Sequence, residues 1–406
     1  MQGNDVLPPI FWLLVILGHF ALAAALLNRL FSFALPRRLL AALEKLIFAI
    51  LLGVLAWAVV ALTQTPEAFQ HPVLLLAAHP VAAGYSALCC LFVVMVSSLW
   101  LVRKWRGQPP CLLRNHSRVI RAERQFGRFP CGDLTTHLLA RIPGNQLLQL
   151  EVNEKTLRLP ALPSELDGLR LVHLSDLHFT GQLTREYFDL IVDQTNAMQP
   201  DLIAVTGDII DRPECLPWFD QVLGRLTSRL GVFCVLGNHE RRMPDKAGIV
   251  GAIQDAGLHY VGGTCTTVIC GGRTILLAGN ELPWWGPAPD VGRFETETGE
   301  LPGLRVLLAH TPDGIHWARG ARFDLMLAGH THGGQIRFPV IGPVLSQSRY
   351  GVKYASGIFF EPPTVLHVSR GLSGCQPLRI LCRPELALLV LRSASAPEGD
   401  VLPPAT

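Results

Sequence analysis

The stretch FDLMLAGHTHGGQIRFP, residues 323–339, sets two histidines, His330 and His332, between an apolar run and a pair of glycines. In extended backbone, residues i and i+2 point to the same face, so both imidazoles can converge on one point. The glycines permit a tight turn and close approach of a ligand to the backbone. Two imidazoles alone make no site, but the chain supplies partners. LRLVHLS (169–175) is followed by Asp176-Leu-His178, a second i, i+2 pair. LIAVTG (202–207) runs into Asp208 within GDIIDR, VFCVLG (232–237) into Asn238-His239-Glu240, and LRVLLA (304–309) into His310. Each apolar run reads as a buried strand bounded by turn residues. Singly, such an Asp or Asn passes as a helix cap. Five strands ending in Asp, Asn or His point instead to one shared site, because ligands of α/β sheets bind beyond the carboxyl ends of strands.

In order, DLH, GDIID, GNHE, the lone His310 and GHTH resemble the five blocks of the calcineurin-like metallophosphoesterases, over roughly 168–392. The lead-in ALPSELDGLRLVHLSDLHF and the close SRGLSGCQPLRILCRPELALLVL are similar to the YaeI/YkuE-like phosphodiesterase branch, whose members are often membrane-associated. LAGNELPWWGP departs from that branch, which usually has an Asp just before the Pro-Trp pair. The resemblance implies an α/β fold, a four-layered α-β-β-α sandwich, holding two divalent metal ions. Carried over by position, Asp176, His178 and His332 hold one metal, Asn238, His310 and His330 the other, and Asp208 bridges them. Two carboxylates, one amide and four imidazoles, with no thiolate, favour Mn, Fe, Zn or Co over Mg or Ca. Such a pair lowers the pKa of bound water toward about 7 and clamps phosphate oxygens, so a bridging hydroxide is the expected nucleophile. His239 matches the residue that family members place near the leaving oxygen. Asp211 is expected to orient His239 through its second ring nitrogen. Arg212 is either a bidentate phosphate contact or a solvated turn residue. Glu240 reads as a supporting or surface group. Trp284 and Trp285 are either a rim beside the site or rings packed into the sheet edge.

Other elements must carry this machinery. Apolar positions Tyr187, Phe188, Ile191 and Val192 predict a helix over 183–198, and a second is expected over 245–257. TILLAG (274–279) is a sixth strand, and Gly262-Gly263 and Gly271-Gly272 read as turns around a hairpin. The first quarter is different. The runs 10–27, 46–62 and 81–102 contain no Asp, Glu, Lys or Arg, and each is long enough to span a bilayer. Met1–Pro9 carries no basic residue, which argues against a signal peptide. VLLLAA (73–78) is an apolar extension ahead of the third run. His19 is expected to be a packed neutral imidazole, and spans without charged residues offer no transport path.

Arg29, Arg37, Arg38 and Lys45 lie between the first two runs, none between the second and third, and Arg103, Lys104 and Arg106 follow the third. By the positive-inside rule the large C-terminal part faces the cytoplasm from the inner membrane. Residues 103–128 hold eight Lys or Arg against Glu123, a stop-transfer flank or a surface for anionic lipid. No aromatic-interleaved basic motif accompanies them, so a nucleic-acid partner is not expected. Ten cysteines without a CxxC pair read as reduced thiols. A composition of 49% hydrophobic and 17% charged residues fits this division into an anchor (1–102), a basic linker with lead-in strands (103–160), a catalytic domain (161–392) and a disordered tail (393–406). The expected activity is hydrolysis of a phosphodiester or pyrophosphate, with a lipid-linked substrate such as a UDP-diacylglucosamine-type precursor or a phospholipid. A soluble-nucleotide phosphodiesterase and a metal-free scaffold are the alternatives. The sequence leaves oligomeric state open.

Overall fold

The computed structural model describes residues 7–395, except 65–66, 74–76, 78 and 300. Two compact units divide the chain, Met1–Gly107 and Gln108–Thr406.

In the first unit, α1 (Leu7–Leu30), α2 (Arg37–Gln64) and α3 (Pro80–Arg106) are each long and apolar enough to cross a membrane. α2 begins well before the second apolar run and takes in Arg37, Arg38, Glu44 and Lys45, which the sequence had suggested as loop. Leu, Ala, Arg, Lys and Glu are all good helix formers, so the apolar segment extends through them back to Pro36. α3 starts on Pro80, where the missing N–H costs no helical bond. The extension at 73–78 falls largely outside the described residues. His19 is buried and joins three helices, with Nδ1 at 2.5 Å from the Tyr85 hydroxyl of α3 and Nε2 at 3.1 Å from the Leu51 carbonyl of α2. Beside it, Gly18 lets α1 press against the backbone of Cys89, where a Cβ would meet the carbonyl oxygen at 2.2 Å.

The second unit is built on two sheets. β1 (Leu112–Arg121), β2 (Gln149–Leu159), β3 (Leu169–Leu174), β4 (Leu202–Thr206), β5 (Val232–Val235), β6 (His259–Tyr260) and β15 (Glu385–Ser393) form the first, in the order β1-β2-β15-β3-β4-β5-β6. β7 (Cys265–Cys270), β8 (Arg273–Asn280), β9 (Leu304–Ala309), β10 (Leu325–Ala328), β13 (Gly357–Glu361) and β14 (Thr364–Val368) form the second, in the order β13-β14-β10-β9-β8-β7. β11 (Arg337–Phe338) and β12 (Gly342–Pro343) make a separate hairpin. β3 to β6 run parallel, as do β8, β9, β10 and β14. Leu171, Ala204 and Val235 of one sheet pack with Val306, Leu325 and Leu327 of the other, so both strand sets are apolar on their inner faces. On the outside of the first sheet lie α4 (Arg185–Ala197) and α5 (Lys246–Asp255). α4 buries Tyr187, Phe188, Ile191 and Val192, and α5 buries Ile249 and Ile253. α6 (Ile315–Gly320) covers Leu307 and Met326 on the outside of the second. These are the four layers, α-β-β-α.

The stretch following α3 contains strands that lead into the sheet. Residues 112–121 are an edge strand paired antiparallel with β2, and most of its side chains are exposed. Charges on an edge strand discourage pairing with other chains, and they also hide its strand character from a reading of apolar periodicity. At the other end, Ser393 is the last residue of β15 and its hydroxyl donates to the Leu162 carbonyl at 2.8 Å. The remainder of the proposed tail, from residue 396, lies outside the described residues.

Candidate active site

Asp176 and His178 follow β3, Asp208 follows β4, Asn238 and His239 follow β5, His310 follows β9, and His330 and His332 follow β10. Two parallel strand sets, one per sheet, therefore deliver every one of these groups to the same end of the sandwich. The turn off each strand is sharp. Asp176 (φ 53°), His178 (48°), Asp208 (51°), His330 (69°) and His332 (48°) all sit in the left-handed region, which side chains other than glycine seldom enter. The glycine in LAGHTH is a requirement of space: a Cβ on Gly329 would stand 1.8 Å from Ser175 Oγ and 2.3 Å from Asp176 Oδ2. Gly237 is equally confined, at 2.3 Å from Asp208 Oδ1.

The donor atoms gather into overlapping groups. Asp176, His178, Asp208 and His332 have ligand atoms within 4.8 Å of one another, as do Asp208, His310 and His330. Asp208 belongs to both. His310 Nε2 lies 3.2 Å from Asp208 Oδ2 and 3.2 Å from Asn238 Oδ1, and His332 Nε2 lies 3.4 Å from Asp176 Oδ1. All seven residues suggested by the sequence come together, and Asp176, His178, Asp208, His310 and His330 are almost wholly buried.

Hydrogen bonds fix which nitrogen faces inward. His310 Nδ1 donates to the Thr206 carbonyl at 2.7 Å, which directs Nε2 toward Asp208 and Asn238. His178 Nδ1 donates to Asp211 Oδ2 at 2.7 Å, which directs its Nε2 toward His332 and Asp208. His330 Nε2 is buried without a hydrogen-bond partner, an atom that a cation would satisfy. Burial pushes His330 and His332 down to about 3, so both imidazoles are neutral and able to ligate. Burial also opposes charge on His310, but Asp208 overrides it and lifts the imidazole to about 9. Against burial, the neighbouring imidazoles hold Asp176 below, and Asp208 well below, the ordinary carboxylate range. Carboxylates, imidazoles of which His330 and His332 are held neutral by burial, and an orphaned nitrogen fit divalent metal ions.

A third group adjoins these. Asp211 accepts from His178 with one oxygen and from His239 Nδ1 with the other, so it orients both rings. His239 Nε2 stands 3.8 Å from Asp208 Oδ2. Arg212 is exposed, and its guanidinium forms no hydrogen bond or ion pair among the described residues. The guanidinium at the site is that of Arg242, which donates to Asp211 Oδ1 at 2.8 Å and lies 3.0 Å from His239 Nε2. Sequence reasoning missed it because ERR after the Asn238-His239 pair looks like a charged surface turn. It also missed Cys375, whose sulfur is 3.3 Å from His239 Nδ1 and 3.5 Å from Asp211 Oδ1. The signal was present in SRGLSGCQP, a glycine-punctuated loop following a strand. Burial raises that thiol, but His178 and His239 bring it down to about 6. Glu240 is a buried support, accepting from the amides of Asp208 (3.2 Å), Ile209 (2.5 Å), Ile210 (3.1 Å) and Gly237 (2.7 Å). It thereby ties the β4 turn to the β5 turn.

The tryptophans divide the two readings between them. Trp284 packs its ring 4.7 Å from His330 and 5.5 Å from His310, walling the site. Trp285 donates to the Gly237 carbonyl at 2.8 Å, beneath Lys246. Leu282 stands just before the Pro-Trp pair; Glu281 ahead of it is buried and accepts from Leu236 N, Tyr260 and Lys246.

Residues 169–334 match the model of the calcineurin-like phosphoesterases. The metallophosphoesterase YkuE of Bacillus subtilis is 31% identical over 252 residues, spanning 61% of this chain and 87% of its own. The chain belongs to the calcineurin-like phosphoesterase family. Phosphodiesterase YaeI of Escherichia coli is 29% identical over 226 residues, with 55% of this chain and 82% of its own covered. UDP-2,3-diacylglucosamine pyrophosphatase LpxG of Chlamydia muridarum is 25% identical over 285 residues, covering 57% and 86%. The chain is accordingly a phosphoesterase hydrolase of the metallophosphoesterase class, preceded by helices suited to a membrane.

Proposed function

We propose that the protein is a binuclear phosphohydrolase acting on a lipid-linked phosphodiester or pyrophosphate. Asp176, His178 and His332 would hold one divalent cation and Asn238, His310 and His330 the other, with Asp208 belonging to both groups. The observation that carries this reading is the membership of Asp208 in two ligand groups, each of which draws on both sheets. The donor set suits Mn, Fe, Zn or Co. When bound, such ions polarise water and neutralise phosphate charge. The chain's own residues do the rest. His239, clamped through Nδ1 by Asp211, presents Nε2 as the site of the proton for the leaving oxygen. Arg242 lies 3.0 Å from that nitrogen and, when it turns to a phosphate oxygen, leaves Nε2 free to carry the proton. Trp284 limits water on the His330 side.

A lipid-linked substrate is supported by the membrane helices and by the likeness to a UDP-2,3-diacylglucosamine pyrophosphatase. The bias of Lys and Arg toward the end of α1 and the start of α2, and toward the segment after the third apolar run, supports a cytoplasmic domain on the inner membrane. A reporter fused after Arg106 that is active only outside the cell contradicts that orientation. For the substrate, the full-length protein in vesicles is given UDP-diacylglucosamine and, separately, bis(p-nitrophenyl) phosphate. Faster turnover of the lipid supports the proposal. Turnover of the soluble diester alone, indifferent to lipid or detergent, contradicts it.

A further inference from the structure

The β11–β12 hairpin leaves the loop that bears His330 and His332, and its surface is apolar. Ile336, Phe338, Val340, Ile341 and Leu345, with Leu381 of the adjoining segment, are between 44% and 79% exposed. Soluble surfaces seldom gather so many large apolar side chains on one projection. The tip is also strained: Ile341 N donates to the Pro339 carbonyl at 2.7 Å, a γ-turn centred on Val340 with φ 67°. A β-branched residue in that conformation is costly where Gly or Asn is easy. The chain thus accepts strain to present an aliphatic side chain to the outside.

The hairpin is firmly rooted. Arg337 N donates to the Ile380 carbonyl and Ile380 N to the Gln335 carbonyl, both at 3.0 Å. The Arg337 guanidinium donates to the Gly333 carbonyl at 2.7 Å and to Ser356 Oγ at 2.5 Å. Its apolar tip is therefore held at a set distance from His332. Only residues 107–111 separate α3 from β1, so in the chain the unit that carries the hairpin follows directly on a membrane-suited helix.

We propose that this hairpin inserts into the acyl region of the bilayer, placing the His330–His332 edge of the active site at the lipid surface. Insertion holds whichever phosphate bond the site cleaves. The test uses the full-length protein in phosphatidylcholine–phosphatidylglycerol vesicles, with a nitroxide attached through a genetically encoded azide at position 340. The reference label is at Ile269, which is 71% exposed on the far edge strand β7. Collision rates with oxygen and with a neutral nickel chelate report the surroundings. The expected result is an oxygen-to-chelate ratio several-fold higher at 340 than at 269. With Val340→Asp and the label moved to Ile341, the ratio falls to that of Ile269. Equal ratios at 340 and 269 overturn the proposal. So does protection of 340 from both probes, which means that protein covers the hairpin.

Discussion

At the residue scale, the site is a set of side chains whose backbones accept strain. Five of the seven proposed ligands hold positive φ, each at a cost of about 1–3 kcal/mol, so the surrounding packing must enforce them. The seven were legible because each follows an apolar run, and three of those five runs end in glycine. Arg242 and Cys375 were not, since their roles depend on the convergence of separate loops on Asp211. Two predictions belong here. His239→Ala lowers kcat by about 10²–10⁴-fold with metal content unchanged; an equal loss of metal would make His239 a ligand instead. Arg242→Ala removes charge-assisted hydrogen bonds of about 1.5–3 kcal/mol, lowering kcat/KM by roughly 10–150-fold. Arg212→Ala stays near wild type in the same assay, and the reverse ranking would restore Arg212 as the phosphate contact.

At the element scale, the carboxyl ends of β3, β4, β5, β9 and β10 do the positioning, and the apolar contact of the two sheets holds those ends together. Leu327→Ala, in that contact, costs about 2–5 kcal/mol in chemical denaturation; a cost well below that would mean the sheets are not packed as described. The parallel inner strands were readable as continuous apolar runs. β1, a charged edge, was legible only as part of lead-in strands without bounds, and β2 hides polar groups inside. Lys155 and Asn153 of β2 both reach Glu385 of β15, which also accepts from Arg370 Nε at 3.2 Å. A buried ionic cluster of this kind has no signature in apolar periodicity. Burial alone would raise the Glu385 carboxyl, but Arg370 and Lys155 hold it well below its ordinary value of 4.5. A depressed folded-state pKa contributes stability that is present above the unfolded value and lost as pH falls through the folded one. Glu385→Gln therefore costs about 3–5 kcal/mol at pH 7, and it loses less additional stability than wild type on acidification below pH 4.5. Parallel losses for the two proteins contradict that assignment.

At the scale of the whole molecule, a helical unit suited to a membrane is followed within a few residues by a two-sheet phosphoesterase domain. The sequence separates these parts by composition, apolar and nearly chargeless against mixed. The central claim is that two cations share Asp208. The most direct measurement is the metal content of purified full-length protein after equilibration with Mn and removal of free ion, alongside bis(p-nitrophenyl) phosphate hydrolysis, for wild type and Asp208→Asn. The account predicts two ions per wild-type chain with metal-dependent hydrolysis, and loss of tight binding at both positions together with activity in the variant. A single bound ion supporting full activity, or a variant that keeps two ions and its rate, would contradict it.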